Sequence, residues 1–178
     1  TVTKDSTNMV SSGTIYTAIQ ALGLSTSTQY GFLAAMPNAT FNVGYNQLFP
    51  FSVVSGRASG TDGLSLYSLP TTAYSTTGYS YTFAYSGYYT VGFNIFMVSS
   101  NTAGTSGVSL ERQTAGQTGY TLIMLSGANF GENENRTMVA YFNTGDSIRL
   151  RQVSSNTGGT DNMVVSGGQY SNWYCYRN

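Results

Sequence analysis

The chain has 178 residues, seven basic against seven acidic, with 8% charged and 40% hydrophobic side chains, which is enough for one domain with a short arm and too little for two independent cores. So weak a field excludes nucleic-acid backbones and anionic lipid as targets, and no stretch approaches the roughly 18 apolar residues of a membrane insertion. Histidine is absent and Cys175 is the sole cysteine, which removes Ser/His and Cys/His nucleophiles, the imidazole base, Cys/His zinc sites and any intrachain disulfide.

Residues 1–10 lack the charged-then-apolar layout of a secretion signal, so the sequence reads as a soluble, trimmed piece. Residues 14–24 carry the one helical signal: Ile15, Ile19 and Leu22 fall at i, i+4, i+7, and Gly23 can close the C-terminus. The alternative is an irregular N-terminal arm or stalk remnant over 1–40, lying on the domain or on a neighbouring subunit. Downstream, Ser, Thr, Gly and Asn make up close to half of the sequence and gather into turns such as Asp62-Gly63, Thr77-Gly78, Ser86-Gly87, Thr144-Gly145-Asp146 and Ser166-Gly167-Gly168. Punctuation at about 8–12-residue spacing predicts an all-β sandwich or barrel over 41–178.

Between those turns the apolar period is two. Tyr79, Tyr81, Phe83 and Tyr85 alternate with small residues, and Tyr89, Val91, Phe93, Ile95 and Met97 alternate with Thr90, Gly92 and Asn94. One face of each strand is therefore expected in the core, with the other solvated or at an interface. Ser86-Gly87 is short enough to join the two as a hairpin. Further strands are expected over 49–54, 64–69, 107–112, 120–125, 137–142, 147–153, 163–166 and 170–176, about ten in all.

Two motifs carry a family resemblance. The stretch from Thr77-Gly78-Tyr79 through Ser86-Gly87-Tyr88-Tyr89 to Gly92-Phe93 resembles the central hairpin of the C1q and tumour-necrosis-factor-like (TNF-like) jelly rolls. Tyr141-Phe142-Asn143-Thr144-Gly145-Asp146-Ser147-Ile148-Arg149-Leu150 is similar to that family's Leu-x-x-Gly-Asp-x-Val-x-Leu turn and strand. The resemblance spans 41–178 and implies a two-sheet antiparallel jelly-roll sandwich that assembles as a homotrimer. The closing stretch departs from the pattern: Ser166-Gly167-Gly168-Gln169-Tyr170 and Trp173-Tyr174-Cys175-Tyr176 replace the usual aromatic-Gly-aromatic strand. Abundant tyrosine with scarce charge independently suits a surface buried between subunits.

The second motif has a physical reading of its own. Gly145 supplies positive φ, and the Asp146 carboxylate accepts backbone N–H groups, so that Ile148 and Leu150 enter the core in register. Asp146 is thus a structural residue of the turn and not a catalytic one. Tyr, Ser, Gly and Asn also make adaptable recognition loops. Asn101, Gln117, Tyr120, Asn129, Asn133 and Asn156 are the ligand-binding candidates, against plain solvated turns. Glu132, Glu134 and Asp161 offer carboxylates that suit Ca²⁺, against an ordinary acidic loop; no other cofactor is expected. Arg149 and Arg151 share a strand face and could clamp a carboxylate or sialic-acid-like ligand, although pairing with Glu111 or Asp146 is the plainer role. Asn38-Ala39-Thr40 and Asn135-Arg136-Thr137 are glycosylation acceptors in form.

These readings converge on a non-enzymatic trimeric recognition head. It would bind a cell-surface protein or glycan at the tip of a virus or phage fibre or spike, outside the cell or on the virion. Alternatives are a structural jelly-roll subunit of a capsid or filament, and a secreted C1q-like lectin or adhesion module. An enzyme would need paired carboxylates held about 5–10 Å apart across a sugar, and the few acids here, almost all in turns, give no such pair a framework.

Overall fold

The structure is a computed structural model and describes residues 31–55, 73–101, 106–128, 133–154 and 162–178. The helix expected over 14–24 and the strand over 64–69 lie outside those residues. Among the described residues there are twelve strands: β1 (Gly31–Ala35), β2 (Thr40–Gly44), β3 (Val53–Ser55), β4 (Tyr74–Ser75), β5 (Ser80–Thr82), β6 (Gly87–Asn101), β7 (Ser106–Gln113), β8 (Thr121–Ala128), β9 (Asn133–Phe142), β10 (Ser147–Ser154), β11 (Asn162–Ser166) and β12 (Asn172–Arg177). A single 3₁₀ turn, Gly168–Tyr170, precedes the last strand.

The strands form two antiparallel sheets. The larger has the order β2-β11-β6-β12-β1-β3 with β9 on the other side of β6, and the smaller has the order β4-β5-β10-β7-β8. The long strand β6 is the spine. It pairs β9 along one edge from Gly87 to Phe96, and β12 and then β11 along the other. Its alternation decides which residues go inside: Tyr89, Val91, Phe93, Ile95 and Met97 are all essentially inaccessible to solvent, as period-two patterning requires. From the facing sheet, Tyr81, Val108, Leu110, Ile148 and Leu150 close the core.

Aromatic rings fill the space between the sheets. Phe32 lies 4.6 Å from Trp173 and 4.7 Å from Tyr81, ring centre to ring centre, and Phe83 stacks on Phe142 at 4.1 Å. The polar atoms carried in with these rings are mostly satisfied. Trp173 Nε1 donates to Tyr74 Oη (3.0 Å), and Tyr74 Oη donates to the Phe51 carbonyl (2.7 Å). Tyr81 Oη is the exception, buried with no partner among the described residues. Burial pushes the Tyr74 and Tyr81 phenols far above their ordinary value, so both stay neutral. Cys175 is a buried free thiol, raised by burial in the same way, and is therefore withdrawn from exchange with other chains.

Three expectations change. The segment Ser86-Gly87 does not close a hairpin: β5 belongs to the small sheet and β6 to the large one, so residues 83–86 cross between layers. Tyr79 has φ +47° and interrupts the alternation, leaving Ser80–Thr82 as a short strand and Phe83 as a core residue outside it. The sandwich also begins earlier than residue 41. Within the expected arm, β1 lies between β12 and β3 with Ala34 opposite Trp173, and Phe32 is fully buried. Gly31 is required there, because a Cβ would run into the Cys175 carbonyl across the pair.

Replacing Trp173 with alanine removes the ring that Phe32, Phe51 and Tyr74 pack on. It is expected to cost about 3–5 kcal/mol, read as a lowered urea midpoint. A change within error of zero would mean that this cluster does not anchor the core.

Candidate functional site

Three regions carry the side chains from which a site can be built: a turn knot at one end of the sandwich, the outward face of the large sheet, and the outward face of the small one. The knot centres on Asp146. Gly145 takes φ +87°, which turns the chain so that the Asp146 carboxylate points back. Its Oδ2 accepts the Asn143 N–H (2.8 Å) and its Oδ1 accepts the Ala115 N–H (2.9 Å), while the Arg112 guanidinium pairs with Oδ2. Burial pushes this carboxyl up, but the two backbone donors and Arg112 outweigh it and hold it below its ordinary value of 3.8. Ile148 and Leu150 enter the core directly after this turn.

The outward face of the large sheet is the surface that the buried face of β6 leaves on its other side. Register places Leu33, Tyr174, Gly92 and Thr137 in one row across four strands, with Gly31, Tyr176, Thr90 and Val139 in the next and Tyr88 beside Tyr141 beyond them. None of these outward positions carries a charge. Tyr174 lies flat across Gly92 and its hydroxyl meets Thr137 Oγ1 at 2.8 Å. Only glycine permits this, since a Cβ at residue 92 would collide with the Tyr174 ring. The ring of Tyr176 lies within 14° of parallel to that of Tyr174. The product is a level aromatic pavement in which Tyr88 is 61% and Val139 59% exposed, and among the described residues no strand or turn packs over it. The alternation predicted this second face without locating its rows, because they are set by non-local register.

On the small sheet, Arg149 and Arg151 project outward between Ile148, Leu150 and Gln152. Glu111 Oε2 accepts from Arg149 Nε (2.8 Å) and Arg151 Nε (3.1 Å), and Arg151 Nη1 donates to the Asn46 carbonyl and amide oxygens. Pairing with Glu111, the plainer of the two expected roles, is what the geometry shows. Tyr120 covers Arg149, with Cζ 3.5 Å from the ring centre, and its hydroxyl lies 3.2 Å from Ser147 Oγ.

The remaining candidates divide between the two ends of the sandwich. Gln117 is exposed in the β7–β8 turn near Tyr120. Asn101 ends β6 and Asn133 begins β9, at the opposite rim. Asn129 and Asn156 lie outside the described residues, as do Glu132 and Asp161 of the calcium set. Glu134 is buried on β9 opposite Ile95, and among the described residues no three metal-ligating side chains come together. Asn38 and Asn135, the glycosylation acceptors, are both exposed.

Neither a family model nor a curated protein sequence matches the chain. Solved structures do match. An Eiger TNF from S. frugiperda is 15% identical over 85% of this chain and 93% of its own, with a TM-score of 0.60. Murine APRIL is 11% identical over 84% and 99%, with a TM-score of 0.55. The globular domain of zebrafish complement 1qA protein is 15% identical over 84% and 99%, with a TM-score of 0.53. The chain has the C1q/TNF-like jelly-roll fold. At these identities the likeness establishes architecture only, and the whole jelly roll of each neighbour is covered.

Because the folded Asp146 sits below 3.8, the stabilisation it supplies is complete above that value and fades as the pH drops through its lower folded value. Asp146→Ala is expected to lose about 3–5 kcal/mol at neutral pH by stranding Arg112 and two backbone donors. It is also expected to flatten the acid side of the stability curve, measured by urea unfolding from pH 6 down to pH 2.

Proposed function

We propose that this chain is a non-enzymatic recognition head that works as a homotrimer and binds a cell-surface receptor or glycan, set at the tip of a virus or phage fibre or spike. The observation that carries the reading is the uncharged aromatic pavement of Leu33, Tyr174, Tyr176, Thr90, Val139, Tyr88 and Tyr141. A contiguous apolar surface of this kind is a liability on a lone subunit and an asset between subunits. Tyrosine dominates it, and tyrosine gives large contact area with little rotamer entropy to lose. Its flatness, set by Tyr174 lying over Gly92, suits packing against copies of itself. The likeness to an Eiger TNF, to APRIL and to a complement globular domain supports the same assembly as an expectation for the fold.

Recognition then falls to the surfaces that closure leaves free, the small sheet and the two rims. The setting proposed is extracellular or on the virion; among the described residues no helix is long and apolar enough to cross a membrane. The reading involves no catalytic step.

Sedimentation at micromolar concentration tests the assembly directly. A single trimeric species is expected, and Val139→Glu, at an exposed position of the folded subunit, is expected to convert it to folded monomer by placing three carboxylates in a closed apolar contact. Monomer at every concentration for the unaltered chain overturns the trimer. Open-ended polymer would instead favour the capsid or filament subunit. Binding to a glycan array and to candidate cells then tests the recognition role.

A further inference from the structure

The Glu111–Arg149–Arg151 cluster on the small sheet does more than a buried ion pair requires. It sets two guanidinium groups against one carboxylate, so it keeps one uncompensated positive charge. The pairing uses only the Nε atoms, and Arg151 gives Nη1 to Asn46. Both terminal nitrogens of Arg149, and Nη2 of Arg151, have no partner among the described residues. The side chains are partly withdrawn from water, 19% and 18% exposed, where a charge interacts more strongly than on an open surface.

The fork of Arg149 is also held in place. Glu111 fixes its Nε edge and the Tyr120 ring covers one plane at 3.5 Å, so little ordering remains to be done when a ligand arrives. Around it stand neutral hydrogen-bonding groups: Ser80 opposite Arg149, Ser147 against Tyr120 Oη, Gln113 beyond Ser147, and Asn46 beside Arg151. On the other flank Leu122, paired with Glu111, is 56% exposed. A planar fork with free N–H groups matches a carboxylate or sulfate. Hydroxyl and amide neighbours match the hydroxyls of a sugar, and the leucine matches its C–H face.

We propose that Arg149, with Arg151 and Tyr120, binds the anionic group of an acidic sugar. This rests on the recognition reading above and names its ligand class. The test uses the intact chain with four probes: sialyllactose, a sulfated lactose, neutral lactose and a polyglutamate peptide, titrated calorimetrically at low and high salt. At least one acidic sugar is expected to bind, more weakly as salt rises, while lactose does not. Preference for sialyllactose or for the sulfated sugar identifies the anion as carboxylate or sulfate. Arg149→Lys keeps the charge but loses the fork and is expected to weaken binding roughly tenfold or more. Glu111→Gln is expected to tighten it, since a competing carboxylate is gone. Thermal melts confirm that each variant is folded, and Tyr120→Ala gives the same readout if Arg149→Lys does not fold. Silence from both acidic sugars, lactose binding as well as they do, or undiminished binding by the Arg149 and Tyr120 variants overturns the site. Binding of polyglutamate alone overturns it in favour of an acidic protein segment. Trimer formation and cell binding that persist despite silent sugars would reject this site and leave the recognition head standing.

Discussion

The carboxylate of Asp146 is the constraint on which the architecture at one end of the sandwich depends. The chain passes between the sheets twice there, at residues 83–86 and again at residues 143–146. The Phe83 N–H donates to the Asp146 carbonyl and the Gly145 N–H donates to the Phe83 carbonyl, both at 2.8 Å, so the two passages are zipped together. The side chain adds the β7–β8 turn through Ala115 and strand β7 through Arg112. Backbone and side chain together, the Gly145-Asp146 turn therefore ties three connections that are remote in sequence. A buried carboxylate whose two oxygens accept from Asn143, Ala115 and Arg112 favours one arrangement among several that hydrophobic packing alone would allow.

With that end tied, the two sheets are free to differ in their outward chemistry. The large sheet faces outward with tyrosine, small residues and no charge, and the small sheet with arginine, glutamate, serine and glutamine. The difference follows from strand alternation, because β6 and β10 send their apolar residues inward and must present the intervening ones outside. On β6 those are Tyr88, Thr90, Gly92 and Asn94, and on β10 they are Ser147, Arg149 and Arg151. The proposed association and the proposed recognition thereby fall on opposite surfaces of one sandwich and do not compete for the same side chains.

Much of this was legible in the sequence wherever the signal is local. The inward set of β6 could be read from residue spacing and is buried as the alternation requires, and the Gly145-Asp146 turn was legible as a turn, though its Arg112 and Ala115 partners were not. What could not be read is pairing. Ser86-Gly87 has the length of a hairpin, and nothing nearby in the sequence reveals that β5 pairs β4 and β10 while β6 pairs β9, β11 and β12. Strand β1 escaped notice because Gly-Phe-Leu-Ala-Ala is too short to show a period; its identity as a strand comes from lying beside Trp173 and Cys175, some 140 residues away by register. The site was legible in the same measure. Glu111 was foreseen as a partner for the two arginines, whereas the Tyr120 ring over Arg149 needed the fold to bring the β7–β8 turn against β10.

The sole tryptophan, Trp173, is wholly enclosed between the sheets, with its indole N–H given to Tyr74. Its fluorescence should therefore be blue-shifted and insensitive to dissolved quenchers in the native state, and it should respond to opening of the sandwich while ignoring events on either outer surface. The tyrosines distributed over those surfaces lie ready to pass excitation to it. A single emission spectrum thus separates loss of the folded interior from changes at either outer surface, without any label being attached.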